Sequence, residues 1–118
     1  TPRIEARHRA VPPFRPLPAP DDVTALVERL QRAERPVIVA GRGAIMAGAK
    51  EELIKLGERT GALLATSLQG KSLFAGHEWN VGISGAFASE PTERLLAEAD
   101  FVLGVGAELG YYTTEGGL

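Results

Sequence analysis

The 118-residue sequence contains no cysteine, one methionine, one tryptophan and two histidines. The lack of thiols excludes disulfides, thiolate zinc sites and cysteine nucleophiles together, which suits a cytoplasmic protein. An excess of one charge is missing too. Thirteen basic and 15 acidic side chains give a formal net charge of −2, so no global field draws the chain to nucleic acid or to an anionic membrane. No apolar run reaches the ~18 residues of a spanning helix, and no signal-like core opens the chain. What remains is an ordinary globular composition, 44% hydrophobic and 24% charged, enough for one core but small for an autonomous two-substrate enzyme.

Proline is scarce except at the start: residues 1–20, TPRIEARHRAVPPFRPLPAP, hold six of the eight. Repeated proline removes amide donors and keeps a chain extended, so this stretch reads as an interdomain linker with another domain expected before it. Beyond it, Asp21 and Asp22 are candidate N-caps for a helix in which Val23, Leu26, Val27 and Leu30 fall on one face and which ends near Ala33. PVIVA (36–40), ALLAT (62–66) and FVLGV (101–105) are short apolar strands, unalternating as strands buried on both faces should be. Helices are expected at Ala47–Thr60, closed by Gly61, and at 91–99 with Pro91 in the first turn; Gly106–Leu118 reads as loop.

Strands alternating with helices give an α/β fold with a parallel sheet covered on both faces. Ligands of such sheets sit beyond the carboxyl ends of the strands, so Gly41-Arg42-Gly43, the Thr66–Gly70 segment and Gly106-Ala107-Glu108 are expected to converge. Three strands leave an unpaired edge, and more sheet is expected downstream. The dinucleotide fingerprint is incomplete, with Met46 at its third glycine and Thr66-Ser67 where a ribose-binding acid belongs. ATSLQGKS (65–72) matches the P-loop spacing except for Ala65, but no helical periodicity follows to aim a positive helix end at phosphates. GISGA (82–86) lacks the last glycine of a nucleophile elbow and does not leave an expected strand, and His77 has no evident partner acid. Glu90, Glu93, Arg94 and Glu98 read as the solvated face of the last helix.

The order RPVIVAGRGA, AGAKEEL, TGALLATSLQGKSLF, VGISG, ERLLAEADFVLGVGAEL, TTEGG resembles the central domain of the thiamine diphosphate-dependent enzymes, in their acetolactate synthase-like branch, over residues 21–118. The resemblance implies a Rossmann-like, three-layer (DHS-like) nucleotide-binding fold, continuing beyond Leu118, between pyrimidine- and pyrophosphate-binding domains of an oligomeric parent. That parent would be a transferase or lyase that decarboxylates a 2-oxo acid, using thiamine diphosphate and Mg2+ held outside these residues. The family's activating glutamate and Gly-Asp-Gly metal motif do not occur here, so the chain by itself carries no catalytic residue and no metal ligand.

In branches that carry FAD the flavin nucleotide lies across the matching loops. By position the implied contacts are Gly41, Arg42, Gly43, Thr66, Ser67, Leu68, Gly82, Ile83, Ser84, Gly85, Gly106, Ala107 and Glu108. Two departures bear on this: Ile83-Ser84 replaces Met-His, and Glu108 replaces an arginine, where a carboxylate repels a pyrophosphate. Two readings therefore stand side by side, a crevice holding FAD or an ADP moiety and a structural spacer that holds nothing. A P-loop-like domain is the lesser alternative.

Overall fold

A computed structural model describes residues 17–85 and 88–108; residues 1–16 of the proline-rich stretch, Ala86 and Phe87, and residues 109–118 of the terminal loop lie outside it. In chain order the elements are α1 (Pro20–Arg32), β1 (Pro36–Ala40), α2 (Arg42–Met46), α3 (Lys50–Thr60), β2 (Leu63–Thr66), a 3-10 turn (Leu68–Gly70), β3 (Asn80–Ile83), α4 (Glu90–Ala97) and β4 (Phe101–Val105). The strands form one all-parallel sheet in the order β3-β2-β1-β4. The chain winds outward from β1 in both directions, so the connections diverge between β1 and β4. This is the α/β, Rossmann-like arrangement expected from the alternation of strands and helices.

Burial explains why β1 is central. All five of its residues are buried, with Val37 to Ala40 opposite Leu63 to Thr66 on one side and Pro36 to Ala40 opposite Phe101 to Val105 on the other. Its side chains alternate between two cores. Ile38 and Ala40 pack with Ala44, Leu53, Ala62, Leu64 and Phe74, under α2 and α3. Val37 and Val39 pack with Ala65 and Leu96, under α4. Each large aliphatic side chain buried this way contributes about 1.5–3 kcal/mol, so the hydrophobicity of β1 fixes it in the middle layer.

Several elements differ from the sequence reading, each for a local reason. The helix expected over 47–60 starts only at Lys50, because Gly48 adopts φ 66, and a separate short helix, α2, precedes it at Arg42–Met46. Asp21 and Asp22 are not N-caps: Ala19 occupies that position without a side-chain bond, and the two carboxylates lie in the first turn, where they favour the helix dipole. The second strand begins at Leu63 rather than Ala62. The last helix runs Glu90–Ala97 rather than 91–99, capped by Ser89, whose hydroxyl accepts from the Thr92 amide. Gly61 does close α3, in the left-handed conformation.

The largest difference is β3, since the connection after β2 was expected to carry no strand. Asn80–Ile83 pairs parallel with β2, so the sheet has four strands among the described residues and the Gly-Ile-Ser-Gly segment does leave a strand. The segment hides because it is irregular. Leu64 pairs with Asn80 but Ala65 pairs with Gly82, leaving Val81 as a bulge, and Gly82 has φ 94, a conformation that favours glycine.

At the opposite end of the sheet, Asp100 fastens β4 to the turn between α1 and β1. Its carboxylate accepts from the amides of Glu34 and Arg35, each at 2.8 Å. Those two bonds, the Glu34 one first, hold the Asp100 carboxyl below its ordinary value.

Candidate functional site at the carboxyl edge of the sheet

Because every strand runs the same way, all four post-strand segments leave at one edge. Each is tied to its neighbour by main chain. Gly41 N–H donates to Val105 O at 3.0 Å, Ser67 N–H to Ala40 O at 2.9 Å, and Ser84 N–H to Thr66 O at 2.8 Å. Gly43 N–H donates to Gly106 O at 2.9 Å, across the line where the connections diverge. The structure thus brings together all the loops marked in the sequence, and their leading amides are engaged with one another.

The glycines explain how the loops come so close. A Cβ on Gly41 would lie 2.5 Å from Gly106 O, and one on Gly43 would lie 2.8 Å from Gly106 Cα. A Cβ on Gly106 would lie 2.3 Å from Ala44 N, and Gly106 also holds φ 56. Gly70, the last residue of the Thr66–Gly70 segment expected to converge here, belongs to the same cluster, since its Cβ would meet Ala40 O at 2.6 Å. Backbone meets backbone at all four positions, and the space that a missing Cβ leaves is filled by the neighbouring loop.

Side chains sort into a buried floor and an exposed rim. Thr66, Ser67 and Ser84 are buried, at 3%, 7% and 1% exposure, so their hydroxyls lie beneath the surface. Arg42, Leu68 and Glu108 are exposed and Ala107 half-buried. Gly82 and Ile83 lie on β3, with Ser84 and Gly85 just beyond. The P-loop-like residues form a strand end and a 3-10 turn rather than a loop opening a helix, which removes the phosphate cradle that spacing would need.

Two residues that the sequence reading passed over set the geometry of the β3 end. Asn80 Oδ1 accepts from Gly82 N–H at 3.0 Å, closing a turn around the bulge. Thr92, 4% exposed at the start of α4, donates its hydroxyl proton to the Val81 carbonyl. The Ser89 hydroxyl, 2.8 Å from that of Thr92, completes the chain, so the cap of α4 and the bulge of β3 are one network. The signals were an Asn two residues before a glycine and a Ser-x-x-Thr helix opening, both weak by themselves.

His77 lies away from this edge and does have an acidic partner, Glu58 of α3, with Nε2 3.5 Å from Oε1. Glu90, Glu93, Arg94 and Glu98 are exposed along α4, as expected of a solvated face, with Arg94 and Glu90 paired at 2.7 Å. Among the described residues no group of three or more His, Asp or Glu converges as metal ligands. No helix among them is long and apolar enough to cross a membrane.

Comparison with known proteins decides the family. Residues 23–118 match the family model described as thiamine pyrophosphate enzyme, central domain. The chain belongs to this family. The central domain is 43% identical over 98 residues to a probable 2-ketoarginine decarboxylase of Pseudomonas aeruginosa, covering 82% of this chain and 17% of that protein. It is 40% identical over 91 residues to a sulfoacetaldehyde acetyltransferase of Alcaligenes xylosoxydans, covering 76% and 15%. It is 32% identical over 88 residues to a probable acetolactate synthase large subunit of Methanococcus aeolicus, covering 74% and 15%. The central domain thus spans less than a fifth of the length of each of these three relatives. Their names cover decarboxylation, acetyl transfer and acetolactate synthesis, so the family likeness extends to several chemistries.

Proposed function

We propose that this chain is the non-catalytic central domain of a thiamine diphosphate-dependent 2-oxo acid decarboxylase or carboligase resembling acetolactate synthase. The observation that carries the proposal is the family match over residues 23–118, on a sheet whose strands all deliver small-residue loops to one edge. Thiamine diphosphate and Mg2+ would be held by the flanking pyrimidine- and pyrophosphate-binding domains, in a cytoplasmic homo-oligomer that acts as a transferase or lyase. The domain's part is to fix the geometry of those neighbours, and the cofactor supplies the chemistry of decarboxylation when bound.

The exposed rim of Arg42, Leu68, Ala107 and Glu108, with Gly82 to Gly85 at its far end, is where FAD or another ADP-containing nucleotide would lie. Arg42 would face its phosphates. A specific observation favours the second reading, a spacer that binds nothing. The amides of Gly41, Gly43, Ser67 and Ser84 already have carbonyl partners, the glycines are accounted for by loop packing, and Glu108 puts a carboxylate on the rim. Titration of the full-length enzyme with FAD and with ADP, followed by flavin fluorescence and melting temperature, separates the two. A saturable signal that Arg42→Ala weakens supports the nucleotide site. No change in either readout up to millimolar ligand leaves the spacer.

A further inference from the structure

We infer that His77 is a proton-sensitive latch on the entry to β3. Its two ring nitrogens face opposite demands. Nδ1 accepts from the Trp79 amide at 3.1 Å, which only an unprotonated Nδ1 can do. The ring proton of the neutral form therefore sits on Nε2, which lies 3.5 Å from Glu58 Oε1 at the end of α3. The ring is largely enclosed, with 16% side-chain exposure, and meets Trp79 edge-on at 6.3 Å and 73°.

Adding a proton changes one side and not the other. The imidazolium keeps an N–H toward Glu58 and gains charge attraction there, but Nδ1 becomes a donor pointed at another donor, and the Trp79 amide loses its acceptor. The main chain nearby is short of slack. His77 N–H donates to Phe74 O, Asn80 N–H returns to His77 O, and Leu64 N–H donates to Trp79 O at 3.0 Å, the bond that precedes the β2–β3 ladder. Phe74 is fully buried and anchors one end of the turn, so the movement that relieves the donor–donor contact falls on residues 77–80. The other charges on the packed elements are Lys50, Glu51, Glu52, Lys55 and Arg59 of α3 and Lys71 and Glu78 of the connection, all exposed; β2 and β3 carry no ionisable side chain. Protonation of the ring on acidification therefore loosens the start of β3, just ahead of the Val81 bulge.

Trp79 is the single tryptophan of the chain, so its emission reports this turn directly. In the full chain, nitrogen-15 spectra of the imidazole at about pH 8 are expected to show the Nε2–H form. From about pH 8 to about pH 5, Trp79 emission is expected to change in one step with the imidazole titration. Over the same range amide protection at Trp79, corrected for intrinsic exchange, is expected to fall roughly three- to tenfold, the loss of one ordinary hydrogen bond. His77→Asn keeps an acceptor near Nδ1 and cannot titrate, so it abolishes the step. An Nδ1–H form at high pH, flat emission and protection while the imidazole titrates, or an unchanged step in His77→Asn would each overturn the latch.

Discussion

Replacing Gly106 by alanine tests whether the carboxyl edge is held by backbone-to-backbone packing. Two costs apply. The residue sits at φ 56, and its Cβ would lie 2.3 Å from Ala44 N and 2.6 Å from Gly43 C. A non-glycine residue in the left-handed region costs about 1–2 kcal/mol, and forcing a methyl into a filled space costs about 1–3 kcal/mol more. The expected loss is therefore about 2–5 kcal/mol. Two controls divide it. Gly48 has φ 66 but nothing within 4 Å of its Cβ position, so Gly48→Ala carries only the conformational part, about 1–2 kcal/mol. Gly43→Ala has a contact at 2.8 Å to Gly106 Cα and no left-handed backbone, so it carries only the steric part, about 1–3 kcal/mol. Urea denaturation of the full chain, followed by far-ultraviolet circular dichroism, gives the three values on one scale. Equal losses in Gly106→Ala and Gly48→Ala would refute the packing argument, because the contact with Ala44 and Gly43 would then weigh nothing.

Other outcomes follow from single contacts. Thr92→Val removes the hydroxyl that donates to the Val81 carbonyl and meets the Ser89 hydroxyl and should cost about 1–3 kcal/mol by the same denaturation, with Thr92→Ser recovering most of it. Ser72 is exposed and holds φ 74, so Ser72→Gly relieves a left-handed strain of about 1–2 kcal/mol against a glycine entropy cost of about 0.5–1; a melting temperature a few degrees higher is expected, and a lower one would count against the strain. Asp100 has a folded carboxyl lowered from 3.8 by the Glu34 and Arg35 amides, so its stabilisation is present above the unfolded value and lost as pH falls through the folded one. Asp100→Asn should therefore lower the melting temperature at neutral pH and narrow the gap to wild type as pH drops below about 4.

Where the sequence pattern was regular, the structure follows it. The unalternating runs at 36–40 and 101–105 are strands to the residue, but burial on both faces holds only for the first; Phe101–Val105 lies at the edge of the described sheet, four of its residues half-buried and Gly104 exposed. The convergence of loops at 41–43, 66–70 and 106–108 was legible too, since parallel strands deliver their ends to one side. The β3 strand was not legible. Its four residues are Asn, Val, Gly and Ile, all half-buried, and the bulge breaks the period-two pattern that would announce it. Gly48 was hidden differently: a glycine inside an apparent helix reads as tolerated until its φ is known. At the candidate site, the glycines were visible but their partners were not. That Gly41, Gly43 and Gly106 meet one another, and that Gly70 joins them at Ala40 O, depends on residues far apart in the chain.

That meeting sets how this rim can change under engineering. At an ordinary core contact an enlarged side chain can be accommodated by trimming its neighbour, so paired substitutions open routes to new sequences. At Gly41, Gly43 and Gly106 the nearest obstacle is main chain or a glycine carbon, and nothing smaller exists to swap in. A mutagenesis library over the rim should therefore recover diversity at Arg42, Leu68 and Glu108 while returning glycine at the other three, whatever second-site changes accompany it.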